Sequence, residues 1–251
     1  MKNRMYTISL VSLLILILIT TCIAALKINK WEGKKIVTFG DSITWYDGHE
    51  FVGSHIETGN IAKGYQYYMR SKLKCTVINE GMDGKTMPEI WADKIKSYDF
   101  SDVDAVTITS GANDYKNLTE LGMIDGIGSK HDESTFYGAL QSSIEKIKFD
   151  NTRTKIYLLT PIKGWFNEEG TESVPNPEAK GLMGTDYVNA IKEIGKLYKT
   201  PVCDWYSETG FNEKNRAKYY GETDKSPYYL HPTNAGFKRM ADILIPFLKK
   251  N

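Results

Sequence analysis

The chain has 251 residues, 41% of them hydrophobic and 25% charged, with 21 Gly and 8 Pro; this ordinary globular composition excludes collagen-like, low-complexity and wholly disordered readings. Thirty-two Lys and Arg face 31 Asp and Glu, a formal net charge of +1. A near-neutral charge with no long basic run argues against nucleic acid as the main partner.

Residues 5–26 carry no charge and centre on Leu13-Leu14-Ile15-Leu16-Ile17-Leu18-Ile19. At about 1.5 Å per helical residue, such a stretch spans a hydrocarbon core of about 30 Å. It predicts an N-terminal hydrophobic helix. Lys2 and Arg4 before it place the N-terminus inside and the body outside. Residues 1–26 read either as an uncleaved membrane anchor or as a signal peptide cut near Cys22-Ile23-Ala24 or Ala25. The anchor is favoured, because the apolar stretch exceeds the usual signal core. Ile19-Thr20-Thr21-Cys22 faintly resembles a bacterial lipoprotein signal, although Thr before Cys fits that pattern poorly. The expected location is the cell membrane, single-pass, or secretion.

Residues 27–34 form a short linker and 35–251 one domain. Its predicted strands are residues 36–39, 76–78, 105–109, 156–160 and 202–204. They are rich in β-branched residues and apolar without alternation, as strands buried on both faces are. Three amphipathic helices are marked by Tyr137, Leu140, Ile144 and Ile147; by Tyr187, Ala190, Ile191, Ile194, Leu197 and Tyr198; and by Phe237, Met240, Ile243, Leu244, Phe247 and Leu248. This alternation predicts a parallel sheet with helices on both sides. Cys75 and Cys203 sit in apolar segments and read as buried core residues, though a bridge between them stays open.

The connections 43–60, 115–132, 161–180 and 206–230 are long. In a parallel sheet they gather at the carboxyl edge, where open α/β sheets bind ligands. The residues at that edge are Phe39-Gly40-Asp41-Ser42-Ile43-Thr44, Asn79-Glu80-Gly81-Met82-Asp83-Gly84, Thr109-Ser110-Gly111-Ala112-Asn113-Asp114 and Tyr229-Leu230-His231-Pro232-Thr233. Taken singly, each has a bland reading: a turn or cap serine, a tight-turn glycine, an asparagine holding its own loop, a helix-entry histidine with Pro at a helix start.

Together, Ser42, Gly81, Asn113 and His231 in this order resemble the SGNH hydrolase family, also called GDSL esterases and lipases, over about residues 35–250. The resemblance implies a flavodoxin-like three-layer α/β/α sandwich with a five-stranded parallel sheet, and ester hydrolysis through an acyl-serine. It assigns Ser42 as nucleophile and His231 as base. It assigns the backbone N–H groups of Ser42 and Gly81 and the amide of Asn113 as oxyanion donors. The chemistry is consistent: a hydroxyl needs a base within about 2.6–3.2 Å, and an imidazole near pKa 6.5 supplies one. No cofactor and no metal is required.

One position departs from the pattern. The family places Asp three residues before the histidine; here Tyr228 stands there. A Ser42–His231 pair oriented by a backbone carbonyl is favoured. Asp224 or Glu222 could supply the acid instead, or activity could be lost. Trp45, Tyr46, Trp165 and Phe166 lie in the rim loops, where their faces could stack on a sugar ring or pack an acyl chain but each reads first as a loop anchor, and Asp41 and Asp114 read as braces of their turns. His49 and His55, beside Asp47 and Glu50, match no zinc pattern and read as solvated loop residues. Asn117-Leu118-Thr119 is a glycosylation acceptor only in a eukaryote.

The expected function is an extracytoplasmic serine esterase acting on a small-molecule or polysaccharide ester, with O-acyl (acetyl) groups on carbohydrate preferred because the rim loops carry many charged residues. The alternatives are a lipase, lysophospholipase or thioesterase of the same fold, and a weakened glycan-binding or surface-interaction module.

Overall fold

The computed structural model describes residues 12, 15, 29–164, 184–222 and 230–251. Most of the apolar N-terminal stretch, Trp165, Phe166, Asp224 and Tyr228 lie outside them. The chain divides into two compact units, Met1–Glu32 and Gly33–Asn251. In the first, Glu32 N–H donates to Asn29 O at 2.9 Å, closing a turn. Among the described residues no helix is long and apolar enough to cross a membrane.

The second unit is built on five strands: β1 (Lys35–Gly40), β2 (Thr76–Gly81), β3 (Ala105–Thr109), β4 (Lys155–Leu159) and β5 (Val202–Cys203). Their order is β2-β1-β3-β4-β5, with every neighbouring pair parallel. This is the flavodoxin-like order. The strands read as unbroken apolar runs because both faces are covered. Val37, Phe39, Val106, Ile108, Ile156 and Leu158 enter one core. Ile36, Ala105, Tyr157 and Leu159, the alternate residues, are equally buried.

The helices, in chain order, are α1 (Ser42–Trp45), α2 (Tyr65–Leu73), α3 (Met87–Asp93), α4 (Ala112–Lys116), α5 (Phe136–Asp150), α6 (Gly184–Leu197), α7 (Trp205–Glu208), α8 (Arg216–Tyr219) and α9 (Asn234–Lys250). Helices α3, α5 and α6 give their apolar faces to the first core. Helices α2 and α9 pack together against the other side, where Tyr157 of β4 meets Phe247 of α9 edge to face at 5.9 Å. Helix α5 starts where Thr135 accepts the Gly138 N–H at 3.2 Å, a cap worth about 1 kcal/mol. The result is the expected three-layer sandwich. Parallel strands put every β-to-α connection at one edge, so the segments after β1, β2 and β3 converge there.

Candidate active site

At the end of β1, Asp41 caps helix α1, accepting the Ile43 N–H at 3.0 Å. The cap fixes the turn and leaves Ser42 as the first helical residue. Ser42 Oγ lies 3.0 Å from Nε2 of His231, 189 residues further along the chain.

Chain pairing, rather than a helix start, delivers His231. Tyr220 and Pro232 form an antiparallel bridge, and Gly221 N–H donates to His231 O at 2.8 Å. Helix α9 begins only at Asn234, with Thr233 as its cap. Pro232 therefore stands outside the helix, contrary to the expected helix-start proline.

The same pairing sets Glu222 beside His231. Glu222 Oε1 accepts the His231 backbone N–H at 2.7 Å and lies 3.0 Å from Nδ1. The Glu222 side chain is 10% exposed. Its second oxygen, Oε2, is buried without a hydrogen-bond partner. This corrects the favoured backbone-carbonyl reading: a carboxylate faces the far nitrogen of the imidazole. It comes from nine residues upstream instead of three, because two short extended segments lie side by side. A proton held on Nδ1 by Glu222 leaves the Nε2 lone pair for the Ser42 hydroxyl. Tyr46, 4% exposed, meets the His231 ring edge to face at 5.1 Å. Its burial against the imidazole fits the loop-anchor reading better than a ring open to substrate. Burial first, then Asp83 and Glu222, pushes its phenol pKa up.

Two carboxyls brace the site from below, as expected. Asp41, 2% exposed, is pushed up to about 6 by burial, against the Ile43 N–H and His231, which favour its charged form. Asp114 is fully buried and is pushed up to about 7, again by burial. It accepts N–H groups from Met87 and Gly111, both at 3.0 Å, and so ties the start of α3 to the start of α4.

Gly81 does not present its N–H to the cleft; it donates to Asn79 Oδ1 at 2.9 Å. The need for glycine there is steric, since a Cβ would lie 2.3 Å from Trp45 N and 2.6 Å from Thr44 C. Helix α1 rests directly on the end of β2. Three residues on, neither Gly84 N–H nor Ser42 N–H has an acceptor among the described residues. The turn carrying Gly84 lies against the nucleophile strand, because Met82 N–H donates to Gly40 O at 2.8 Å. Asn113, 6% exposed, donates one amide hydrogen to Lys85 O at 3.2 Å. That bond ties Asn113 to the residue that follows Gly84. Sequence reasoning missed Gly84 and gave Glu222 only as an alternative. The second glycine in Asn79-Glu80-Gly81-Met82-Asp83-Gly84 is the one signal for Gly84.

Of the remaining candidates, Trp45 stacks on His49 at 4.0 Å, and His49 Nδ1 lies 2.6 Å from Trp45 O. His55 is 7% exposed, not solvated. Cys75 and Cys203 are free and buried. Among the described residues no cluster of His, Cys, Asp and Glu could hold a metal ion. The rim is less polar than its composition suggests. In this unit, Val52, Ile56, Ile61, Met123, Ile124 and Ile127 are six of the eight exposed large apolar side chains described. All six stand on the segments following α1 and α4.

No curated protein matches this sequence. Among solved structures, a protein from Lactobacillus plantarum superposes with a TM-score of 0.68 at 23% identity, covering 88% of this chain and 98% of its own. A possible lipase from Chitinophaga pinensis gives 0.65 at 22%, covering 86% and 98%. A catalytic mutant of an acetylxylan esterase from Geobacillus stearothermophilus gives 0.59 at 21%, covering 88% and 96%. At these identities the likeness is one of fold. The family model described as "GDSL-like Lipase/Acylhydrolase family" matches residues 38–239. Because that match runs from the nucleophile strand into the final helix, the chain belongs to the GDSL-like lipase/acylhydrolase family.

Proposed function

We propose that this chain is an extracytoplasmic serine esterase that hydrolyses carboxylic esters through an acyl-serine intermediate, with O-acyl groups on carbohydrate as its substrate class. The observation that carries the reading is the aligned set of contacts from Ser42 Oγ to His231 Nε2 at 3.0 Å and from His231 Nδ1 to Glu222 Oε1 at 3.0 Å. As Ser42 Oγ attacks the ester carbonyl carbon, His231 Nε2 takes the hydroxyl proton. The resulting imidazolium is stabilised by the Glu222 carboxylate. The backbone N–H groups of Ser42 and Gly84 and the second amide hydrogen of Asn113 are the donors for the tetrahedral oxyanion. Collapse of the intermediate breaks the ester C–O bond, and His231 returns the proton to the leaving alcohol. Water then attacks the acyl-serine by the same route in reverse order, releasing the acid and restoring Ser42.

The carbohydrate assignment is supported by the fold shared with an acetylxylan esterase and by the charged residues of the rim segments. Export is supported by residues 1–26 alone, two cations followed by an uncharged apolar stretch. The exposed Val52, Ile56, Ile61, Met123, Ile124 and Ile127 favour a second reading, a lipase or lysophospholipase whose rim meets acyl chains.

The test is hydrolysis of p-nitrophenyl acetate, of long-chain p-nitrophenyl esters and of acetylated xylo-oligosaccharides by the full chain and by Ser42→Ala. Preference for the acetylated sugars supports the reading, and preference for long acyl chains replaces it with the second. Equal rates for both proteins on every ester would leave a binding module. Recovery of the full chain from the soluble cytoplasmic fraction would overturn the location.

A further inference from the structure

We propose that His55, on the segment following the nucleophile helix, is a positioning residue that holds Glu222 against His231. The inference deepens the serine-esterase reading and rests on it for its kinetic arm only. Glu222 sits on a short stretch of chain that no regular sheet supports, so something must keep it from drifting away. The segment after α1 supplies that support. His55 and Glu222 form an antiparallel bridge, and Ile56 N–H donates to Gly221 O at 2.7 Å. The His55 imidazole then reaches across the pairing. Its Nε2 lies 3.3 Å from Pro232 O, one residue past His231. The ring passes so close over Gly221 that a Cβ there would lie 1.7 Å from Nε2. Gly221 is therefore the residue the imidazole requires beneath it. On its other side the ring stacks on Phe51 at 4.0 Å and 7°.

His55 is thus a strut joining both halves of the pairing, the half that carries the acid and the half that carries the base. It works as a neutral ring. Nδ1 accepts the Glu57 N–H at 3.1 Å, so the proton belongs on Nε2, where it points to Pro232 O. Burial, the dominant influence, lowers its pKa and keeps it neutral. The titratable groups facing it are Glu57 on its own segment, Glu222 and His231 across the pairing, and Tyr46 at the C-terminal end of α1. Glu57 also accepts the Asn234 N–H at 2.8 Å, so the same segment grips the start of α9.

Two substitutions in the full chain separate positioning from packing. His55→Phe keeps the stack on Phe51 and loses both polar contacts. His55→Gln can return an amide N–H to Pro232 O. On p-nitrophenyl acetate, His55→Phe is expected to lose about tenfold in kcat with KM unchanged, the scale of a sub-ångström misplacement of a catalytic group, and His55→Gln to recover most of it. A second readout needs no turnover. In the Ser42→Ala protein, the His231 Nδ1–H proton resonance is recorded with and without His55→Phe. It loses the downfield shift given by its hydrogen bond to Glu222 when the carboxylate drifts away, and keeps it with His55→Gln. Should His55→Phe not fold, His55→Asn, too short to reach Pro232, carries the same expectation. If the resonance moves but the wild-type chain cleaves no ester, the esterase reading fails while the strut stands. Activity with kcat and that resonance both indifferent to His55→Phe overturns the strut. So do equal losses in the Phe and Gln variants that track their melting temperatures.

Discussion

Replacing Glu222 with Gln removes one charge but keeps an acceptor oxygen for both the His231 backbone N–H and Nδ1–H, which Glu222 Oε1 now meets at 2.7 and 3.0 Å. The charge matters only after proton transfer, when His231 becomes an imidazolium. Two unit charges about 4 Å apart attract by about 4 kcal/mol at an effective dielectric near 20. Glu222 is nine-tenths buried, so solvent screens the pair little. Part of that attraction repays holding a carboxylate whose Oε2 has no donor. A net loss of about 3 kcal/mol of transition-state stabilisation corresponds to about 10²-fold in kcat. KM should hold, because the lost charge is felt only once the proton has moved to His231. Steady-state hydrolysis of p-nitrophenyl acetate over pH 5 to 9 is the assay, with Ser42→Ala as the zero. Glu222→Gln and Glu222→Ala both within about threefold of the parent kcat would refute the triad and return the site to a Ser42–His231 pair.

Asn113→Ala should lower kcat by about 10²–10³, the usual effect of losing one oxyanion donor, with little change in melting temperature; an unaltered kcat would remove Asn113 from the site. Gly81→Ala drives a methyl group to 2.3 Å from Trp45 N and should cost about 1–3 kcal/mol of stability in a denaturant titration, moving α1 and its serine with it. The reasoning fails if that protein is as stable and active as the parent. Asp41 gives a pH test. Its folded pKa of about 6 stands above the ordinary aspartate value of 3.8, so the native state binds more protons than the unfolded chain between those values. Stability must therefore fall as pH rises through that window, by up to about 3 kcal/mol. Asp41→Asn keeps an oxygen for the Ile43 N–H and should gain stability relative to the parent at pH 8 but not at pH 4. A stability difference that does not change with pH would contradict the assignment.

The sheet was legible because burial on both faces writes itself as an uninterrupted apolar run. Residues 105–109 coincide with β3, and the other four strands are displaced by a residue or two, or, for β2, extended as far as Gly81. The amphipathic spacing of Tyr137 to Ile147 and of Phe237 to Leu248 marked α5 and α9 for the same reason, since each packs one stripe inward. Ser42 and His231 could be paired because each lies in a distinctive short motif. Glu222 could not be chosen over Asp224, since its role depends on Tyr220 pairing with Pro232, and isolated bridges leave no periodicity. Gly81 misled because a glycine that admits a neighbouring helix looks, in sequence, like one that offers its N–H. His55 was misread as solvated because nothing local in Gly53-Ser54-His55-Ile56 announces that the ring will cover Gly221. In each case the missing information was a long-range contact.

The central claim is that Ser42 becomes acylated. The most direct measurement is mass spectrometry of the full chain quenched in acid during p-nitrophenyl acetate turnover, followed by peptide mapping. An acetyl adduct on the peptide carrying Ser42, absent from Ser42→Ala and longer-lived in Glu222→Gln, is the predicted result. Steady release of p-nitrophenol with no adduct on Ser42, or with the adduct elsewhere, would contradict it.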